Sequence, residues 1–313
     1  MSFFAIFLAL LLEQARPLGP DNAVHRGALA WVHWAQRTVD AGQRLHGWLA
    51  WLTAAVVPAL LSAGIYLVLD AWSGILAFAW LVAILYVTLG FRQFSHHFTA
   101  IREALESGDE ARAREILAYW RDVDVTQLPR QELLRHVIEH AMLQAHRHVF
   151  GVLVCFVVFA ALGMGPAGAV LYRLAEYLSR SWTSRREEGA LSEAAGQAAA
   201  KAWRWTDAVP VRVTAVALAV VGNFEEAVAS WRQDARHFPD PNDGILLAAT
   251  AGAINVRLGG QPLDAALGAE QGGPVTDGRT PQLAHLASVV GLVWRSVVLC
   301  LLLLALGMLA RLV

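Results

Sequence analysis

Residues Trp48–Leu69 read WLAWLTAAVVPALLSAGIYLVL, 22 positions without Asp, Glu, Lys, Arg or His. As a helix rising 1.5 Å per residue the stretch is about 33 Å long, which matches a hydrocarbon core of about 30 Å. It therefore predicts a membrane-crossing helix. Beyond Asp70 and Ala71 the run Trp72–Gly90 is again apolar, and so short a connection folds two helices into an antiparallel hairpin. Trp48, Trp51 and Trp72 fall near the ends of these runs, at the depth where lipid headgroups favour indole.

The whole chain agrees with this reading. Its 313 residues are 56% hydrophobic and 16% charged, with mean hydropathy +0.44, whereas soluble domains carry about 25% charged residues. Secreted, disordered and collagen-like classes are excluded, and the expected surroundings are a lipid bilayer. A formal net charge of −1 supplies no concentrated basic face to displace phosphate counterions, so nucleic acid is excluded as a partner. Cys155 and Cys300 both lie in apolar runs, where thiols act as small hydrophobes and suggest neither a disulfide framework nor a cysteine zinc site.

Six segments follow from the alternation of apolar and polar stretches. Residues 1–47 are a short hydrophobic anchor (Phe3–Leu12) and an amphipathic interfacial helix. Residues 48–90 are the membrane hairpin. Residues 91–148 form a polar helical segment broken at Ser107-Gly108-Asp109 and at Pro129, whose eight arginines place it in the cytoplasm. Residues 149–222 hold two imperfect membrane segments: Val149–Leu178, interrupted by Gly165-Pro166-Ala167-Gly168, and Ala208–Gly222, entered with Asp207 as N-cap and Pro210 in the first turn. The basic stretch between them also favours the cytoplasm, so the topology of 149–222 stays open between a re-entrant and a crossing path. Residues 223–285 are short helices and loops, with loop signals from Gly259 to Pro281, and 286–313 form a terminal membrane helix.

Candidate chemistry is confined to a few places. His136 and His140 share a helix face with Glu139 beside them, a spacing that can offer two imidazoles to a metal, although a solvated juxtamembrane helix has the same composition. Arg173, Glu176 and Arg212 lie on the imperfect membrane segments, where ionisable groups are costly unless they face a cavity or partner. With Asp207 they suggest a site for an anionic ligand, phosphate or carboxylate, bound by bidentate guanidinium donation; snorkelling or an internal pair with Glu176 is the plainer account. Asn242, Asn255 and Arg257, followed by Leu258-Gly259-Gly260, form a polar-then-glycine patch that suits either ligand approach or a helix C-cap. Phosphate-binding glycine loops, nucleophile elbows and Cys-x-x-Cys are absent from the sequence.

The run Leu105-Glu106-Ser107-Gly108-Asp109-Glu110-Ala111-Arg112, then Gly165-Pro166-Ala167-Gly168-Ala169-Val170-Leu171-Tyr172-Arg173, Val209-Pro210-Val211-Arg212 and the stretch from Ala248 through Asn255-Val256-Arg257-Leu258 to Gly260 resemble the CobD/CbiB superfamily over nearly the whole chain. The resemblance implies an inner-membrane adenosylcobinamide-phosphate synthase that joins a corrinoid carboxylic acid to aminopropanol or its phosphate, with magnesium as the cofactor. The departures lie where that chemistry is expected. The enzymes' acidic and amide motif aligns with Leu143-Gln144-Ala145-His146-Arg147-His148 and loses both carboxylates. Their later Asn-Thr pair falls near Ala175 and Glu176, and their Asp-Asp falls on Trp203 and Arg204.

In these departures, and in Gly222-Asn223-Phe224-Glu225-Glu226-Ala227, the chain is similar to AmpE, a membrane signalling modulator. The expectation is thus an all-α, polytopic helical membrane protein of the bacterial inner membrane, with cytoplasmic helical segments and broken membrane helices. Its first functional reading is an AmpE-like sensor or binding protein with an anionic ligand or an envelope partner. Its alternative is the synthase with a corrinoid ligand, and a small transporter ranks third.

Overall fold

The computed structural model describes the chain except residues 1, 17, 20–21, 124, 126–127, 188–190, 261–262, 264–273 and 311–313, with backbone alone at 91–94 and 184–187. Pro17, the end of the terminal membrane helix and much of the Gly259–Pro281 loop accordingly lie outside the described residues. The described residues form helices and no strand, and they divide into two units, residues 1–90 with 147–210, and 91–146 with 211–313. The all-α expectation holds. Among the described residues three helices are long and apolar enough to cross a membrane, Arg44–Trp72, Arg130–Ala161 and Leu283–Leu309, and two shorter apolar ones are Ser2–Ala15 and Gly74–Thr88.

In the first unit α1 (Ser2–Ala15) packs on α5 (Gly74–Thr88). The amphipathic α2 (Ala23–Val39) is capped by Asn22, whose side chain accepts from the His25 N–H at 2.7 Å. The first long span is α3 (Arg44–Trp51), a π turn over Leu52–Val56, and α4 (Val57–Trp72). The π turn lies just ahead of Pro58, which lacks an N–H and whose ring crowds the carbonyl four residues back; widening the turn relieves that crowding. The hairpin turns at Ser73, and the Trp80 indole donates to the Ser62 carbonyl at 3.2 Å across it. Then α9 (Gly151–Ala161) stops, and α10 (Ala167–Glu187) begins after Gly163 and Gly165 take positive φ of 79° and 55°. Small residues Ala59, Ala63 and Ala167 let α10 settle on α4.

The second unit holds α6 (Phe91–Glu106), α7 (Glu110–Arg121), α8 (Arg130–Ala145), α12 (Phe224–Asp234), α13 (Pro241–Ile254) and α14 (Leu283–Leu309). The breaks expected at Ser107–Asp109 and at Pro129 are both present. α13 is buried along almost its whole length and packs on α12, α8 and α14. Asp240 caps it, accepting from the Asn242 and Asp243 N–H groups at 2.8 and 3.1 Å.

The structure differs from the sequence reading at two joints. No boundary separates the polar helix from the following span: α8, a π turn over His146–Phe150 and α9 form one 32-residue helix, because no proline interrupts Arg130–Ala161. Asp207 is not an N-cap. It lies inside α11, a helix from Glu193 to Val221 that contains Pro210 and starts instead at Ser192, whose Oγ accepts from the Ala195 N–H at 3.2 Å while donating to Asp40 at 2.6 Å.

Candidate functional site

An ionic clamp centred on a buried arginine lies on α8 in the second unit. Arg135, 4% exposed, is flanked by Glu132 and Glu139, three residues before and four after, so both carboxylates reach its guanidinium from its own helix. Its Nε donates to Glu132 at 2.9 Å and its Nη1 to Glu139 at 3.1 Å. Glu139 also accepts the Gly259 N–H at 2.7 Å, joining α8 to the loop after α13. That loop is possible because Asn255 ends α13 in the left-handed region and Gly259 and Gly260 take φ of 91° and 94°. A Cβ on Gly259 would sit 2.9 Å from the Pro274 carbonyl oxygen.

The clamp also decides the state of His136. Arg135 Nη2 lies 2.9 Å from His136 Nε2; a guanidinium only donates, so Nε2 accepts and the imidazole proton sits on Nδ1, which faces Glu139 at 3.4 Å. No lone pair remains there for a metal. His140 turns elsewhere, edge-on to Trp120 at 4.4 Å, with its Nδ1 accepting from Arg121 at 3.4 Å. Of the three residues singled out for metal, the structure thus brings His136 and Glu139 together and directs the contacts of His140 to α7. Among the described residues no three His, Cys, Asp or Glu side chains are grouped to hold an ion.

In the first unit the Tyr172 hydroxyl donates to Asp207 at 2.8 Å, with both residues within 1% of full burial. Gly151 makes room for the phenol: a Cβ there would lie 2.0 Å from the Tyr172 oxygen. Arg173 pairs with Glu176 at 3.4 Å, and Arg180 approaches the other oxygen of Glu176 at 3.9 Å. Glu176 is 4% exposed and Arg173 24%. The internal pair weighed from the sequence is therefore formed.

Arg212 is exposed and belongs to the second unit, as do Asn242, buried at the start of α13, and Arg257, exposed in the loop after it. The Arg257 N–H donates to the Arg279 carbonyl at 2.8 Å. Sequence reasoning missed Arg135 and Tyr172. A readable sign of the first was an arginine with glutamates at three and four residues' distance on one helix; the Tyr172–Asp207 bond joins positions 35 apart, and no local spacing announces it.

Magnesium requires near-octahedral oxygen donors, usually one or two carboxylates together with substrate phosphate and water. The carboxylates described above are engaged with protein groups: Glu139 with Arg135 and Gly259, Glu176 with Arg173, and Asp207 with Tyr172. The described donor set does not fit a resident magnesium ion.

Helices of spanning length carrying buried ionisable groups define an all-α membrane protein. The chain belongs to the CobD/CbiB family, matching the family described as CobD/Cbib protein over residues 3–307. It is 33% identical over 306 residues to the cobalamin biosynthesis protein CobD of Stutzerimonas stutzeri, covering 97% of this chain and 95% of that one. It is 34% identical over 179 residues to the protein of the same name from Chromobacterium violaceum, covering 57% of this chain and 55% of that one. The Mycobacterium tuberculosis protein of that name is 39% identical over 100 residues, 30% of this chain and 32% of its own. No solved structure matches. The relatives' names favour the cobalamin reading over the sensor reading that ranked first on the sequence.

Proposed function

We propose that this protein is a multi-pass inner-membrane enzyme of cobalamin biosynthesis, an adenosylcobinamide-phosphate synthase that joins adenosylcobyric acid to aminopropanol or its phosphate. The observation that carries the reading is near-full-length similarity, 97% of this chain against 95% of a protein named for that pathway. Both substrates present groups that guanidinium donors recognise, a carboxylate and a phosphate; ligand contacts are assigned to Arg173 within the first unit and, separately, to Arg212 and Arg257 within the second. Within the first unit Glu176 holds Arg173 by pairing with it, and Asp207 accepts from Tyr172. Asn242 lies buried at the start of α13. No step is routed through magnesium.

One observation favours a second reading, a binding or sensing protein of the AmpE kind. The stretch Leu143–His148 carries no carboxylate, and its His146 is taken up in a hydrogen bond to Thr214 at 3.0 Å. The test is to incubate the purified protein in detergent with adenosylcobyric acid, aminopropanol phosphate and magnesium, beside an authentic synthase. Product formation supports the enzyme reading. Absence of product with the control active overturns it and leaves the binding protein.

A further inference from the structure

Away from the ionic clamp, the second unit gathers a different set of side chains where α6, α7 and α8 meet. The His97 ring lies 5.8 Å from Trp120 with the planes 27° apart, and 5.9 Å from Tyr119. His96 stands edge-on to His97 at 5.7 Å. His140 stands edge-on to Trp120 at 4.4 Å, its Nδ1 occupied by Arg121. His97 differs from His136 and His140 in one respect: among the described residues neither of its ring nitrogens has a hydrogen-bond partner, ring contacts being all that hold it. It is partly exposed, and Tyr119 beside it is 80% exposed, so an open aromatic surface adjoins the free imidazole. Partial burial, and then His96, lower the pKa of His97 below the ordinary value of 6.5, which leaves it neutral at pH 7 with one nitrogen lone pair to give.

A neutral imidazole with an uncommitted lone pair beside an exposed aromatic ring suits a metal-centred ligand with a replaceable axial position. A corrinoid that has not yet received its nucleotide loop is such a ligand: it carries no base of its own, so water occupies the lower position on cobalt or that position is vacant. Resting on the synthase reading, we infer that His97 supplies the lower axial nitrogen to the cobalt of the corrinoid substrate, beside the exposed ring of Tyr119. The step is a ligand exchange. The imidazole nitrogen forms a bond to cobalt, any axial water leaves as water, and the oxidation state of cobalt is unchanged.

The test uses the full chain in detergent with a cobalt(II) cobinamide as probe, read by visible absorption and electron paramagnetic resonance, with binding followed separately by tryptophan quenching. The inference expects the base-off spectrum to give way to an imidazole-bound one, with three-line splitting from a single axial nitrogen. His97→Ala and His97→Gln should both abolish the splitting and weaken binding about tenfold, or 1.4 kcal/mol, with His97→Gln retaining the wild-type melting profile. His96→Ala should keep the splitting. A bound probe that stays base-off, a splitting that survives His97→Gln, or one lost only in His96→Ala overturns the inference and leaves the synthase reading standing. Failure of the wild type to bind the corrinoid at all overturns both.

Discussion

Replacing Gly151 by alanine should strain the buried Tyr172–Asp207 pair of the first unit. The added Cβ would lie 2.0 Å from the Tyr172 hydroxyl oxygen and 2.1 Å from Cζ, well over 1 Å inside ordinary contact for such atoms. Tyr172 is fully buried, so the ring has no solvent to swing into. Either the helices part, at an overpacking cost of about 1–3 kcal/mol, or the phenol moves and also loses its 2.8 Å bond to Asp207, a hydrogen bond to a charged group worth roughly 1.5–3 kcal/mol. The expected total is about 1–6 kcal/mol, according to which of the two occurs. Tyr172→Phe alone should cost roughly 1.5–3 kcal/mol, and because it removes the atom nearest the new methyl, the two substitutions should be less than additive. Chemical unfolding in mixed micelles, followed by helical circular dichroism, measures all four corners of the cycle. A Gly151→Ala protein within 0.5 kcal/mol of wild type, as usual for a surface change, or strictly additive costs, would refute the packing account.

Three other outcomes are expected. Arg135→Ala removes the positive partner of partly buried Glu139 and should destabilise by about 3 kcal/mol, the low end of the cost of orphaning a buried charge; replacing Glu139 by Gln in the same background should recover part of that loss in the same unfolding assay. Asp240→Ala removes the acceptor for two N–H groups at the start of α13 and should cost about 1 kcal/mol, with faster amide exchange confined to the first turn of that helix; protection unchanged there would count against the cap. Burial first, and His96 second, depress His97 below its usual 6.5, so the unfolded chain binds more protons between the two values. Its contribution to stability is therefore present above the unfolded value and is lost as pH falls through the folded one; histidine NMR placing its titration at or above 6.5 contradicts this.

Much of the fold is legible in the chain because the bilayer imposes a one-dimensional rule. A run such as Trp48–Leu69 must form a helix wherever lipid denies the backbone other hydrogen-bond partners, and local breakers such as Gly108 and Gly165 act through their own φ of 81° and 55°. Thus the hairpin, the α6–α7 turn, the interruption after α9 and the family resemblance were all readable. The Arg173–Glu176 pair was too, since three residues on a helix suffice to bring such groups together.

Asp207 shows where such reading stops. As a sequence, Asp207 followed by Pro210 has the form of a helix start, yet α11 runs through both, because tertiary packing sustains a helix across a proline that local propensity would use to begin one. Its partner Tyr172 and the gap at Gly151 come from other helices. The same holds for His136, whose proton position depends on Arg135 and Glu139, and for Glu139, whose second partner is the Gly259 amide 120 residues away. The amino-acid sequence by itself determined the solvent, the helical class and the family, all of which follow from local pattern. Only the tertiary structure decided which ionisable groups are already spent on one another and which, like His97, remain open to a ligand, because hydrogen bonds are settled by approach in space and not by order along the chain.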